Sequence, residues 1–122
     1  AQSDAVIIDD YGHHPTEIKA TFESVKAYAK LKGFEKITAI WQPHKYSRTI
    51  DNLDGFINCF DGAQELIILP VWAAGETPRE IDFKEKFKHY NLTMADTIKR
   101  ANNHITVVKD EHDMQKIDKG LI

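Results

Sequence analysis

At 122 residues the chain has room for one domain around one hydrophobic core. With 42% hydrophobic and 29% charged residues it falls among folded globular proteins and is too rich in large apolar side chains for a disordered segment. A net charge of −3 carries no signature of nucleic-acid or anionic-membrane binding, and the single cysteine, Cys59, excludes an internal disulfide framework.

No apolar run approaches the roughly 20 residues of a membrane-spanning helix. The first ten residues lack the basic start and apolar middle of a signal peptide. Together with the lone cysteine, this points to a reducing, cytoplasmic setting. The chain opens without Met and closes on Gly120, Leu121 and Ile122, which read like a strand beginning. A piece excised from a longer polypeptide is the simplest expectation, with residues 1–122 forming a single domain.

Ala5, Val6, Ile7 and Ile8 make a β-branched run of strand length. Gly12 then supplies a turn, and Pro15 suits the first turn of a helix. Ile18, Phe22, Val25 and Ala29 follow at helical spacing, and Gly33 closes the element. Residues 37–41 read as a second strand and 42–48 as a polar loop. A second helix is expected next, with Ile50, Leu53, Phe56, Ile57 and Phe60 on one face. Cys59 falls on its inward side, as a small core residue. Residues 66–69 form a third apolar strand and 70–78 a loop. Helix is expected over 82–89 and again over about 94–101, a fourth strand over 105–108, and a last short helix over 114–117. Strands that alternate with helices and are apolar almost throughout predict an open, mostly parallel, doubly wound α/β sheet of Rossmann-like type, with helices on both faces.

The unusual residues cluster in the loops after the strands, where open α/β sheets bind ligands. The first loop places Asp9, Asp10, His13 and His14 within six residues. An Asp there can accept hydrogen bonds from ribose hydroxyls, and a His can act as donor, base or metal ligand. An Asx-type turn beside a solvated histidine pair accounts for the same residues. The second loop, Gln42-Pro43-His44-Lys45-Tyr46-Ser47-Arg48-Thr49, gathers cations and hydroxyls before a helix, an arrangement that favours a carboxylate or phosphate. Alternatively, Lys45 and Arg48 are surface charges and Ser47 or Thr49 caps the helix. The third loop, Ala73-Ala74-Gly75-Glu76, lets backbone approach a ligand and adds one carboxylate, but it is a weak motif that in isolation reads better as a plain turn. His89, His104 and His112 lack paired metal spacing.

Taken together, Asp9-Asp10-Tyr11-Gly12-His13-His14-Pro15, the second loop and the small-small-Gly-Glu third loop resemble the C-terminal domain of the Mur ligase family. Within it, they are most similar to the ligases that join L-alanine to UDP-N-acetylmuramate. The resemblance covers essentially the whole chain. It implies ATP and magnesium as cofactors, an acyl-phosphate intermediate, and L-alanine, ATP and UDP-N-acetylmuramate as partners. It also implies N-terminal and central domains of the same polypeptide that carry the metal ligands, so that this chain alone has no ligase activity.

By the same resemblance, Asp10 contacts the ATP ribose, and His13 lies near the incoming L-alanine as a catalytic residue. Tyr11 shapes that pocket. Lys45 and Arg48 hold the alanine carboxylate and nearby phosphate oxygens, Arg48 counting as catalytic. Glu76 and His44 are supporting residues. Lys45 stands where the family usually has Arg, which replaces a forked grip by a point charge. Trp72 stands where Tyr is common. A murein-peptide ligase is the nearest alternative, although Gln42-Pro43-His44 favours the alanine enzyme. A small metal-dependent hydrolase using His13, His14, His44 and Asp9 or Asp10 is another, and a docking module is a third.

Overall fold

A computed structural model of the protein describes residues 7–8, 14–34, 36–100, 104–110 and 113–117. Helix α1 (Pro15–Lys32) starts on a proline, whose fixed φ and missing N–H suit a first helical position. His14 is its N-cap. The His14 Nδ1 accepts the Thr16 N–H at 3.2 Å, and Glu17 Oε1 accepts the His14 N–H at 3.3 Å. This is a capping box in which histidine takes the usual place of Ser or Thr. The helix ends at Gly33, at φ 79°, a left-handed conformation that glycine adopts without Cβ strain.

Strands β1 (Thr38–Trp41), β2 (Glu65–Ile68) and β3 (Leu92–Met94) form a parallel sheet in that spatial order. Trp41 lies opposite Ile68, and Ile68 opposite Met94. Side chains alternate across the sheet. Trp41, Leu66 and Ile68 join Phe56, Phe60, Phe83 and Phe87 in one buried cluster. Trp41 is its hub, with ring centroids 4.8 Å from Phe56, 5.6 Å from Phe60 and 5.7 Å from Phe87. These rings come from α3 (Leu53–Ile57), the turn after it, and α4 (Phe83–Lys86) with the residue that follows. Helix α1 adds Phe22 and Ala29 against Ile37, and Phe22 meets Phe60 edge-on. The α/β class and the parallel sheet are those the sequence implies.

Ile67 and Leu69 project to the other face, where they pack with Ala95, Ile105 and Val107. In the described part, that cover comes from strand rather than helix. Strands β4 (Thr97–Arg100), β5 (Ile105–Asp110) and β6 (Asp113–Ile117) form a separate antiparallel sheet in the order β4-β5-β6. Two expected helices are therefore overturned. Within residues 94–100, Met94 ends β3, Ala95 and Asp96 link the strands and Thr97–Arg100 form β4, while residues 114–117 belong to β6. The chain changes sheets at one point: the Ala95 N–H bonds Ile68 O at 3.1 Å and the Asp96 N–H bonds Val108 O at 2.8 Å. Thr97, Ile98, Thr106, Val107 and Val108 are β-branched, and pairing Ile98 with Val107 outweighs the accidental helical spacing of Met94, Ile98 and Ala101.

The second expected helix is also modified. It starts at Tyr46 as α2 (Tyr46–Asp51), breaks at Asn52, and resumes as α3, while Phe60 falls in a turn. The polar loop is correspondingly shorter than expected. The expected first strand lies mostly outside the described residues; Ile7 packs at the edge of the Ile67 cluster. No helix among the described residues is long and apolar enough to cross a membrane.

Candidate substrate-binding site

Because β1 and β2 are parallel neighbours, the loops leaving their carboxyl ends run side by side. The Leu69 N–H bonds Trp41 O at 2.8 Å, and Gln42 Nε2 donates to Pro70 O at 3.2 Å. The pairing then continues beyond the sheet. The Trp72 N–H bonds Pro43 O and the Lys45 N–H bonds Trp72 O, both at 2.8 Å, making an isolated parallel bridge between His44 and Trp72. The two rings meet edge to face at 5.2 Å. Trp72 keeps 56% of its surface exposed, so its indole lies at the surface beside His44 and is not part of the core.

Lys45 sits at the start of α2 with φ 66° and ψ 136°, an unusual backbone for a residue with a Cβ. Such conformations cost about 1–3 kcal/mol and persist only where the surroundings over-determine them. Here they do. Its N–H is held by Trp72 O, and its carbonyl accepts both the Thr49 N–H at 3.2 Å and the Thr49 hydroxyl at 2.8 Å. Thr49 is fully buried.

Lys45 is the N-cap of α2 but has no side-chain acceptor to offer the first turn. Glu76 supplies one from 29 residues away. Its Oε1 accepts the Ser47 N–H at 3.2 Å, and its Oε2 accepts the Ser47 hydroxyl. The hydroxyl bond above all holds the Glu76 carboxyl below the usual carboxylate range; the Ser47 and Tyr46 N–H groups and the charge of Lys45 act in the same direction, against partial desolvation. Glu76 reaches this position because Ala74 at φ 51° and Gly75 at φ 89° turn the third loop sharply. Neither Ser47 nor Thr49 is the cap, as the simple helix-start reading had it. Ser47 donates to the remote cap, and Thr49 ties back to Lys45.

The second and third loops thus meet, bringing His44, Lys45, Arg48, Ser47, Trp72 and Glu76 into one region. Residues 9–13 lie outside the described residues, and with them Asp9, Asp10, Tyr11 and His13. The loop's exit is described. Pro15 is buried, and a Cβ on Gly55 would stand 2.9 Å from the Pro15 Cβ. Only a residue without a side chain lets α3 approach so closely. The Cys59 thiol lies 3.2 Å from the carbonyl oxygens of Pro15 and Gly55 and donates to one at a time. Burial pushes its pKa from 9.0 up to about 11, so it is a protonated core thiol, not a nucleophile. His14 is committed to the helix cap. Among the described residues, no three His, Cys, Asp or Glu side chains are grouped to hold a metal.

Sequence reasoning missed Ser47 as the partner of Glu76 and Gly55 as the seat of Pro15. A lysine at the helix start, with no acceptor of its own, was a signal that the cap must come from elsewhere.

The parallel sheet and the polar loops at its carboxyl edge define an α/β domain, and comparison with known proteins gives its family. The family described as Mur ligase, glutamate ligase domain, matches residues 1–117, and the chain belongs to that family. UDP-N-acetylmuramate–L-alanine ligase of Campylobacter curvus is 45% identical over 122 residues, which is 100% of this chain and 28% of that protein. The ligase of the same name from Helicobacter pylori is 46% identical over 119 residues, 96% of this chain and 26% of its own length. That of Campylobacter jejuni is 48% identical over 122 residues, 100% of this chain and 27% of its own. The chain spans only 26–28% of the length of these relatives.

Proposed function

We propose that the chain is the C-terminal domain of a cytoplasmic ligase that joins L-alanine to UDP-N-acetylmuramate, and that it binds the amino acid and the nucleoside of ATP. The observation that supports this reading is the segment carrying Lys45 and Arg48, whose backbone is held at the carboxyl edge of the parallel sheet by bonds between two loops. The identity of 45–48% to ligases of that name supports the choice of reaction.

ATP supplies the phosphoryl group that converts the lactyl carboxylate of UDP-N-acetylmuramate into an acyl phosphate. By the family resemblance, magnesium would take its ligands from the other domains of the polypeptide. Lys45 and Arg48 hold the L-alanine carboxylate and neighbouring phosphate oxygens, which orients the amine toward the acyl carbon. His13 lies beside that amine and the developing tetrahedral intermediate, and Tyr11 shapes the pocket. Asp10 accepts hydrogen bonds from the ribose. Collapse of the intermediate forms the amide and releases phosphate. The cations neutralise charge that grows along this path, a task of positioning more than of covalent chemistry. Without the domains that hold the phosphates and the sugar nucleotide, residues 1–122 have no ligase activity.

The test uses the full-length polypeptide and follows phosphate release that depends on L-alanine and UDP-N-acetylmuramate. Arg48→Ala is expected to lower kcat/KM for L-alanine by about 10- to 100-fold, as removal of a charge-assisted hydrogen bond does. Unchanged kinetics in Arg48→Ala and in His13→Ala would remove the site assignment. Turnover with a peptide in place of L-alanine would favour a murein-peptide ligase. Tight stoichiometric zinc binding in calorimetry would favour the metal-dependent hydrolase.

A further inference from the structure

The structure carries one inference deeper into this site, resting on the reading of Lys45 and Arg48 as the amino-acid carboxylate grip. We propose that Glu76 and Ser47 form a clamp between the third and second loops whose role is to position those two cations. Glu76 and Ser47 are positioning residues. Neither needs to touch the substrate.

Three independent features support the clamp. First, Glu76 engages Ser47 through both carboxylate oxygens, one to the amide and one to the hydroxyl, so the bond fixes direction as well as distance. Second, Ser47 lies between the two cations, two residues after Lys45 and one before Arg48. A rotation of the first turn of α2 would therefore displace both. Third, Lys45 is held in a strained backbone whose N–H and carbonyl are pinned by Trp72 and Thr49. Backbone strain maintained on both sides of a charged residue marks a position where direction matters.

The clamp also changes how an anion can be held here. A helix start offers free N–H groups to an anion, but the first-turn amides of α2 already face the Glu76 carboxylate. A substrate carboxylate must then be gripped by the side chains of Lys45 and Arg48. Their grip depends on the geometry that Glu76 sets.

The experiment measures kcat, and KM for L-alanine and for ATP, in the full-length ligase carrying Ser47→Ala, Ser47→Thr, Glu76→Gln and the Ser47→Ala/Glu76→Gln pair. Ser47→Ala and Glu76→Gln should each raise KM for L-alanine by about fivefold to tenfold, the loss of one well-placed hydrogen bond. KM for ATP should rise by less than KM for L-alanine, because the nucleotide keeps its ribose contact and its hold in the other domains, a split that general loosening of the fold would not produce. Ser47→Thr, which keeps the hydroxyl, should behave as wild type. The double variant should match the worse single one, because each single change breaks the same unit. Additive effects in the double variant, equal rises in both KM values, or unchanged KM for L-alanine would overturn the clamp while leaving the ligase reading in place. A wild-type polypeptide with no L-alanine-dependent turnover would overturn the ligase reading, and the clamp's role with it.

Discussion

Helices α1 and α2 each begin at a polar segment assigned to substrate, yet their first turns are secured in different ways. The start of α1 is closed by its own sequence: His14 caps Thr16, and Glu17 reaches back to His14. The start of α2 has no local cap and borrows one from Glu76, on a different loop. The first arrangement forms as soon as one helical turn forms. The second exists only when β1 and β2 are paired and both loops are in place. The backbone setting of Lys45 and Arg48 is thus a property of the folded sheet, whereas the entry into α1 is written within four residues.

The largest effect is expected where α1 depends on tertiary contact despite its local cap. Gly55→Val places atoms where Pro15 stands, at 2.9 Å for the Cβ alone, and should cost about 1–3 kcal/mol of stability by overpacking. Thermal or urea unfolding measures it. A value near zero would mean that the start of α1 does not rest on α3.

Cys59 tests the same seat by pH. Burial raises its pKa from 9.0 to about 11, so folding favours the protonated thiol. That contribution is whole below about pH 9 and is lost as pH rises through about 11. Across this window the wild type should lose more thermal stability than Cys59→Ala. Parallel losses would contradict a buried, bonded thiol.

A smaller effect is expected at the local cap. His14→Ala should cost about 1 kcal/mol, the usual worth of an N-cap, and His14→Asn should recover much of it. Circular-dichroism melts compare the two. If His14→Ala is silent, the contrast between a locally closed α1 and a remotely closed α2 fails at its first term.

The same contrast explains what could be read in the sequence. Helix α1 was legible from Pro15 to Gly33 because its periodicity, its proline and its terminal glycine are all local. The apolar runs at 37–41 and 66–69 gave the parallel strands, since a strand buried on both faces shows no alternation. Residues 94–101 misled because Met94, Ile98 and Ala101 happen to share a helical face, while the antiparallel partner that makes Thr97–Arg100 a strand is β5. Residues 114–117 misled in the same way, with β5 again the partner. Of the three loops read as one site, the second and third meet, and residues 9–13 of the first lie outside the described residues. The bond between Ser47 and Glu76 was not legible, because no local pattern reports a contact 29 residues apart.

The most direct test of the account is the Ser47 amide, followed by proton–nitrogen NMR of the chain as pH is lowered. The Glu76 carboxyl is held below the usual carboxylate range, so its contribution is whole above that range and is lost as pH falls through the lowered value. The Ser47 amide resonance should therefore titrate below the usual carboxylate range, and Glu76→Gln should abolish that step. A Ser47 amide indifferent to both pH and Glu76→Gln would contradict the remote cap, and with it the explanation of how Lys45 and Arg48 are aimed.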